Sequence, residues 1–271
     1  MKGIARTMTV AVILAIVLVP IYWMVATSLK PNREITQDGT LYPHAPSLAN
    51  YAHLFSQKQF GSFLLNSLVV TALSVGLALA AGTLGAYAIA RFRLRFGLER
   101  RIGLALLTLR IVPPVVILIP VYLLMLRLDL LDSWLGLILT YTALNVTFTV
   151  WMMESFFREI PVDLEEAAMV DGDSRLAALW RIVMPLAAPG LIATSIFSVI
   201  TTYNDFIIAL TLTSTPAAQT IPVGVSTLIG KIEIQWGPMA AAGVVGALPI
   251  VIFALVVQRN FVRGLTLGAV K

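Results

Sequence analysis

The stretch EEAAMVDG at 165–172 contains the side chains best placed to bind another molecule. Asp163 precedes Glu166 by three residues, which is the spacing of a capping box at the N-terminus of a helix. Gly172 lies where a left-handed residue commonly ends a helix. The spacing therefore predicts a two-turn helix over 164–171, with Asp163 as its N-cap.

A second helix is predicted to start at Asp173 or Ser174, which are both good N-cap residues. Four of its apolar residues recur at i, i+3, i+4 and i+7 and would form one stripe against the rest of the protein. They are Leu176, Leu179, Trp180 and Val183. The two helices are either an ordinary interfacial loop or a short helix, held on a firm base, that docks into the groove of a partner.

Arg110 is a charged residue inside a long apolar run. An arginine at the centre of a bilayer costs about 2.5–3.5 kcal/mol on insertion scales, so it usually faces a cavity or a partner. It lies about seven residues, roughly 10 Å, from the inner end of its run, which lets it reach the headgroups instead. Two hypotheses therefore stay open, a pathway residue and a residue that snorkels.

Tyr203, Asn204 and Asp205 combine an aromatic face with hydrogen-bonding groups near the outer half of another apolar run. These groups suit recognition of a polyol. They suit equally well a role in fastening their helix to its neighbours. The difference in depth argues against a direct ion pair between Arg110 and Asp205.

Residues for catalysis or metal binding are scarce. The chain has no cysteine, and its two histidines, His44 and His53, fall in a loop without further ligands. The segment GVSTLIGKI has one residue too many for a phosphate-binding loop and lacks Ser or Thr after Lys231. We predict no catalytic residue and no metal site. Basic residues are spread along the loops without interleaved aromatics, so nucleic acid is not an expected partner.

The elements that must position these residues are membrane helices. Of the 271 residues, 58% are hydrophobic and 12% are charged, whereas a soluble domain carries about 25% charged residues. The long apolar runs predict an all-α integral membrane protein, with six transmembrane helices in a single domain over 1–271. The predicted spans are about 8–29, 64–90, 102–126, 134–153, 186–210 and 239–257. The first is too long for the apolar region of a signal peptide, so we expect it to be retained.

Charge sets the expected orientation. If the N-terminus is cytoplasmic, thirteen of the 19 basic residues fall on inner segments, five fall in outer loops and Arg110 lies within a span. The positive-inside rule therefore places both termini in the cytoplasm. Four crossings precede EEAAMVDG, so this stretch is expected to be cytoplasmic too.

Two spans have unusual sequences. Span 64–90 carries a stripe of small residues that lets membrane helices approach closely. The stripe is Ala78, Gly82 and Ala86. Span 102–126 contains Pro113, Pro114 and Pro120. Prolines remove helix hydrogen bonds, so this span is expected to be kinked or locally unwound beside a cavity or other protein.

A self-sufficient secondary transporter is the competing hypothesis. It would predict paired intramembrane carboxylates or inverted repeats. A membrane enzyme would need catalytic side chains within the spans. The spans contain only one arginine, Arg110, and one aspartate, Asp205, and this pair fits both classes poorly.

The stretch EEAAMVDG and the residues that follow it resemble a known family signature. Glu166-Ala167-Ala168, Gly172 and Ile182-Val183-Met184-Pro185 resemble the EAA signature of ABC importer permeases, EAA-x3-G-x9-I-x-LP. Only Met184 departs from it, and methionine conserves the volume of leucine. Other segments are similar to MalG-type, sugar-importing permeases, so the resemblance covers nearly the whole chain. They are LLNSL, RIVPPVVILIP, SFFREIP, PLAAPGL, YNDFIIALTLT and GLTLGAVK.

The resemblance implies a subunit of an importer in the prokaryotic cytoplasmic (inner) membrane. Its partners would be a second, dissimilar permease, two ATPase subunits and an extracytoplasmic solute-binding protein. The chain would be no enzyme and would bind no cofactor, because ATP and Mg are used by the partner ATPase. The expected solute is a sugar or related polyol, with a glycerol-phosphate-type or other polar solute as the alternative.

The resemblance also assigns roles to residues. It makes 158–185 a cytoplasmic loop whose coupling helix is seated in a cleft of the ATPase, with Glu166 as the charged contact and Gly172 as the turn that sets the helix angle. The expected coupling residues are Glu165, Glu166, Ala167, Ala168, Asp171, Gly172 and Pro185. The C-terminal tail is expected to be a second ATPase contact or a flexible tail, and its candidate residues are Gly264, Leu265, Thr266 and Lys271.

Overall fold

The computed structural model describes residues 2–57, 59–92, 97, 101–105, 108, 112–230 and 234–268. This part of the chain is helical, and its only extended pairing is an isolated bridge between Ile229 and Ile234. The helices are α1 Lys2–Ser28, α2 Ala49–Gln57, α3 Phe60–Arg91, α4 Pro114–Arg127, α5 Trp134–Glu159, α6 Asp163–Val170, α7 Arg175–Ala178, α8 Met184–Tyr203, α9 Ile207–Leu212, α10 Ile221–Ser226 and α11 Trp236–Gly268. The predicted all-α class is confirmed.

Five helical segments are long and apolar enough to cross a membrane: Arg6–Ser28, Phe60–Arg91, Trp134–Glu159, Arg175–Tyr203 and Trp236–Val257. A sixth apolar helix, Val115–Arg127, is shorter. The total of six spans and the cytoplasmic termini stay predictions. Many apolar side chains of α1, α4 and α11 are exposed, as expected where lipid or another membrane protein covers them.

The proline-rich span is interrupted as its sequence predicts. Pro113 has extended backbone angles (φ −57°, ψ 135°), and α4 begins at Pro114. A proline at the first helical position has no hydrogen bond to lose there, so the helix restarts at this point. Arg110 lies outside the described residues.

Helix α8 is shorter than predicted at its C-terminal end. It ends at Tyr203, not near residue 210, and a separate helix, α9, follows after a break. The Asp205 carboxylate accepts the backbone N–H of Ile208 at 2.9 Å and thereby caps the start of α9. Asp205 lies in the break between Tyr203 and Ile207, and its side chain satisfies an N–H group that would otherwise be free in the first turn of α9.

Helices α3 and α5 approach each other closely through the stripe of small residues. Ala78 and Ala86 are fully buried. A Cβ added to Gly82 would lie 2.6 Å from the Cβ of Thr149, which is too close for real side chains. The stripe therefore serves helix packing, as expected.

A buried apolar cluster, which we call the α6-side cluster, lies where α3 and α5 end and α8 begins. It contains Ala86, Tyr87, Ile89, Val150, Met153, Phe157, Ile160, Leu179, Val183 and Ala187. At the opposite end, α4 packs with α3, α5 and α9 in a separate cluster that includes Met125, Leu137 and Ile208. The end of the bundle that carries α6 thus has its own core.

The loop after α1 is also ordered by buried charges. The Lys30 ammonium donates to the Thr40 carbonyl and lies 4.8 Å from the centre of the Trp23 ring. The buried Glu34 carboxylate accepts the His44 backbone N–H and the Thr40 hydroxyl, both at 2.9 Å. The His44 backbone N–H leads the causes that hold the pKa of Glu34 below its usual value, against the opposing effect of burial. The exposed His44 ring lies 3.1 Å from the same carboxylate.

Candidate functional site: helix α6 and its support

Helix α6 ends as its sequence predicts. Gly172 has a left-handed φ of 99°. The Asp173 N–H donates to the Ala168 carbonyl at 3.0 Å, and the Gly172 N–H donates to the Met169 carbonyl at 3.2 Å. These two bonds form a Schellman motif, which closes the helix and fixes the direction of the chain that leaves it.

The start of α6 differs from the prediction. Asp163 is the first residue of the helix and not its N-cap, and the N-cap, Val162, has helical angles and no side-chain bond. The Val162 carbonyl accepts the N–H groups of Glu165 and Glu166 at 2.9 and 3.1 Å. The capping-box prediction is therefore wrong, because the helical turn starts one residue earlier. The acidic side chains of the first turn still stabilise the helix, because they lie at the positive end of its dipole.

The second helix begins as predicted, but its stripe is only half buried. The Ser174 hydroxyl accepts the Ala177 N–H at 3.2 Å and caps α7. Leu179 and Val183 are buried, whereas Leu176 and Trp180 are 61% and 56% exposed. The helix passes into a π-helical segment, Leu179–Val183. Its i→i+5 bonds rotate the chain by a smaller angle per residue than those of an α-helix. Residues at i, i+3, i+4 and i+7 therefore no longer lie on one face.

The two neighbouring glutamates of α6 have opposite environments. Glu165 is 2% exposed, whereas Glu166 is exposed. The Glu165 carboxylate accepts the Arg91 Nε–H at 2.5 Å and the Tyr87 hydroxyl at 2.6 Å. The Arg91 Nη2 also donates to the Ile160 carbonyl at 2.8 Å. Glu165 is thus held inside this protein and offers no surface to a partner.

The exposed face of α6 is small and mostly apolar. It consists of Asp163, Leu164, Glu166, Ala167 and Val170, of which Val170 is 86% exposed. Ala168 is buried, so the expected close-approach surface is provided by Ala167 and not by both alanines. Asp171 and Gly172, just after α6, and Pro185, in the first turn of α8, are also exposed. A thin face of apolar residues with two acidic side chains suits docking into a groove.

The support of α6 could not be found from the sequence. Arg91 ends α3 and lies 74 residues before Glu165, so no local spacing relates the two. Tyr87 lies one turn before Arg91 on the same helix, and this spacing is the one available signal that both side chains share a face.

The three candidate solute-binding residues near the end of α8 have different environments. Tyr203 is buried and its hydroxyl donates to the Gly246 carbonyl of α11 at 2.9 Å. Asp205 accepts the Tyr141 hydroxyl at 2.9 Å. These two residues therefore fasten helices together. Asn204 is exposed, and its Nδ2 donates to the Ile200 carbonyl one turn earlier, which leaves its side-chain oxygen accessible.

At the opposite end of the bundle, two side chains hold a loop in place, and the sequence did not predict this role for either of them. The Asp132 carboxylate accepts the Ser214 and Thr215 N–H groups at 2.9 and 3.0 Å, and the Thr215 hydroxyl at 2.7 Å. Burial opposes ionisation, but these three bonds together hold the pKa of Asp132 below its usual value. Asn66 donates to the carbonyls of Pro216 and Gln219 and secures the same loop.

The C-terminal candidates are only partly placed. Gly264, Leu265 and Thr266 lie in the last turns of α11. Lys271 lies outside the described residues. Within the described ranges, no three His, Asp or Glu side chains come close enough to hold a metal ion.

Comparison with known proteins agrees with this architecture. The sequence pattern of the binding-protein-dependent transport system inner membrane component family matches residues 79–267. The chain is 40% identical to the sulfoquinovosyl glycerol transport system permease protein SmoH of Agrobacterium fabrum, over 98% of this chain and 93% of that protein. It is 38% identical to the trehalose transport system permease protein SugB of Mycobacterium tuberculosis, over 94% and 92%.

The fold is also similar to a solved structure. A chain of a bacterial ABC transporter involved in the import of the acidic polysaccharide alginate matches with a TM-score of 0.81 over 96% of both chains, at 23% identity. The chain therefore belongs to the binding-protein-dependent transport system inner membrane component family, the permeases of ABC importers.

Proposed function

We propose that this permease imports a sugar or related polyol and forms half of the translocation pathway with a second, dissimilar permease. The relatives named for sulfoquinovosyl glycerol and trehalose transport support the solute class. A glycerol-phosphate-type or other polar solute is the alternative. The part of the proposal that concerns coupling rests on one observation, the exposed face of α6 on a buried support.

In this proposal, α6 is the coupling helix and is seated in a cleft of a cytoplasmic ATPase subunit. Glu166 is the charged contact, Ala167 allows close approach, and Gly172 sets the direction of the chain that leaves the helix. ATP and Mg are bound by two ATPase subunits, and an extracytoplasmic binding protein delivers the solute. Closure of the ATPase dimer displaces α6 and thereby changes which side of the membrane the pathway faces.

Further contacts are proposed for the rest of the candidate residues. Residues 264–271 form a second contact with the ATPase subunits. Asn204 is the proposed solute-contacting residue of the α8 end, because Tyr203 and Asp205 are engaged in helix contacts. Arg110 is proposed to line the pathway, with snorkelling as the alternative. Both termini face the cytoplasm in a six-span arrangement.

Reconstitution into proteoliposomes tests the proposed function. The chain with its second permease, ATPase and binding protein should take up radiolabelled trehalose or another cognate sugar only when ATP is present on the ATPase side. The chain alone should show no flux. Uptake by the chain alone would establish a stand-alone secondary transporter and refute the proposal.

A further inference from the structure

The support beneath α6 is a buried ion pair that joins three elements. Glu165 belongs to α6, Arg91 is the last residue of α3, and the Ile160 carbonyl follows the end of α5. The Arg91 guanidinium uses Nε for the Glu165 carboxylate and Nη2 for the Ile160 carbonyl. Because the guanidinium is planar and rigid, these two bonds fix its orientation relative to both partners.

The surroundings of the ion pair exclude water. The side chains of Arg91 and Glu165 are 3% and 2% exposed. Tyr87 donates to the second carboxylate oxygen of Glu165 and packs edge-on against the Phe157 ring at 5.8 Å. A charge pair in such a setting is screened little, and separating its partners is costly because each would be left buried and unpaired.

The ion pair continues into the α6-side cluster. Tyr87 and Phe157 belong to this cluster, which extends to Ala187 in the first turn of α8. The described residues of the cluster and of its partly buried neighbours include none from α4. A displacement of α6 is therefore transmitted through charged and packed contacts to α3, α5 and α8.

We propose that Glu165 and Arg91 are positioning residues that make α6 and the adjoining end of α3 a single rigid body. The motion imposed on α6 by the ATPase then reaches α3 directly, whereas the described packing of α4 lies at the other end of the bundle. This inference rests on the proposed function, because it concerns how the coupling helix acts. It assigns coupling to a pair that makes no contact with the ATPase.

Two matched substitutions separate this role from general stability. Glu165→Gln removes the buried charge, and Glu154→Gln makes the same chemical change in the intrahelical pair with Arg158, whose side chain is 55% exposed. In proteoliposomes with the complete transporter, we expect Glu165→Gln to lower the number of solute molecules imported per ATP hydrolysed by about fivefold or more, the low end of coupling between distant sites. ATP hydrolysis and subunit assembly should be retained, and Glu154→Gln should behave as the unmodified protein.

A distance measurement tests the rigid body without changing the ion pair. The chain contains no cysteine, so spin labels can be attached at Met169→Cys in α6, a half-buried position outside the exposed face of this helix, and at Leu84→Cys in α3, an exposed position. We expect the same distance between these labels in nucleotide-free and ATP-bound transporter. A second pair, Met169→Cys with Leu123→Cys in α4, should change its distance between the two states.

The possible outcomes are distinct. A Met169–Leu84 distance that changes between the two states would overturn the inference, as would an unchanged ratio of import to hydrolysis in Glu165→Gln. A broadened distribution of Met169–Leu84 distances in Glu165→Gln would support it. Failure of the unmodified complete transporter to import solute with ATP would refute the proposed function itself, which is a different result.

Discussion

The two ends of the helix bundle hold their connecting segments in different ways. At the α6 end, the Arg91 guanidinium and the Glu165 carboxylate form a buried ion pair. At the opposite end, the Asp132 carboxylate binds neutral N–H and O–H groups of Ser214 and Thr215 near the surface. A buried charge pair resists separation strongly, whereas bonds close to water exchange at little cost. We therefore propose that the α6 end transmits motion, whereas the opposite end holds a loop in place.

The largest effect is expected from removing the cation of the buried pair. Arg91→Ala leaves the Glu165 carboxylate buried with only the Tyr87 hydroxyl as a partner. We expect a loss of about 3–5 kcal/mol in the free energy of unfolding, measured in detergent by thermal or denaturant unfolding. Arg158→Ala, at an exposed pair, should change it by less than about 1 kcal/mol. Similar losses in both variants would show that the buried Arg91 pair contributes no more to the free energy of unfolding than the exposed pair.

A smaller effect is expected at the turn that ends α6. In Gly172→Ala, an added Cβ would meet no atom within 4 Å, so the penalty comes only from the left-handed φ of 99°. We expect a loss of about 1–2 kcal/mol together with fewer solute molecules imported per ATP. The control, Gly76→Ala in α3, also has open space around the added Cβ but no positive φ, and should be neutral or slightly stabilising. Equal effects in the two variants would contradict the importance of this turn.

At the opposite end, Asp132→Asn should have a modest effect that depends on pH. Bonds to an ionised group near the surface contribute about 1 kcal/mol or less after solvent screening. Because the folded-state pKa of Asp132 is lowered, its contribution is present above its unfolded pKa of about 3.9 and is lost as pH falls through the lower folded-state value. The stability difference from Asp132→Asn should therefore be measurable at pH 7 and shrink below about pH 4. A difference that persists in acid would exclude the carboxylate as its source.

The smallest effect is expected on the exposed surface of the α6 end itself. Asp173 accepts a bond from Arg181 at 2.8 Å, but the Arg181 side chain is 72% exposed. Asp173→Asn should leave the unfolding midpoint almost unchanged, since exposed pairs contribute about 0–1 kcal/mol. A loss comparable to that of Arg91→Ala would mean that location at this end, and not burial, determines the energy.

Local features of the fold were predictable because their causes lie within a few residues. Gly172 ends a helix, Ser174 caps the next one, and Pro113 with Pro114 interrupts a span. The family resemblance also rests on local spacing, from Glu166 to Pro185.

Features that depend on distant partners were not predictable. Glu165 and Glu166 are the same residue type side by side, and only the position of Arg91 across the fold determines that Glu165 is buried. The same holds for Tyr203, whose partner carbonyl belongs to Gly246 on another helix. The capping-box prediction failed for a local reason, because the helical turn already begins at Val162.

Site-specific cross-linking tests most directly whether the α6 end is the surface that the ATPase holds. A photoactivatable label on Ala167→Cys, in the cysteine-free chain, should cross-link to the ATPase subunit in the assembled transporter. The same label on Leu135→Cys, an exposed residue in the first turn of α5 at the opposite end, should not. Cross-linking of the ATPase from Leu135, or none from Ala167 in a transporter that imports solute, would contradict this account.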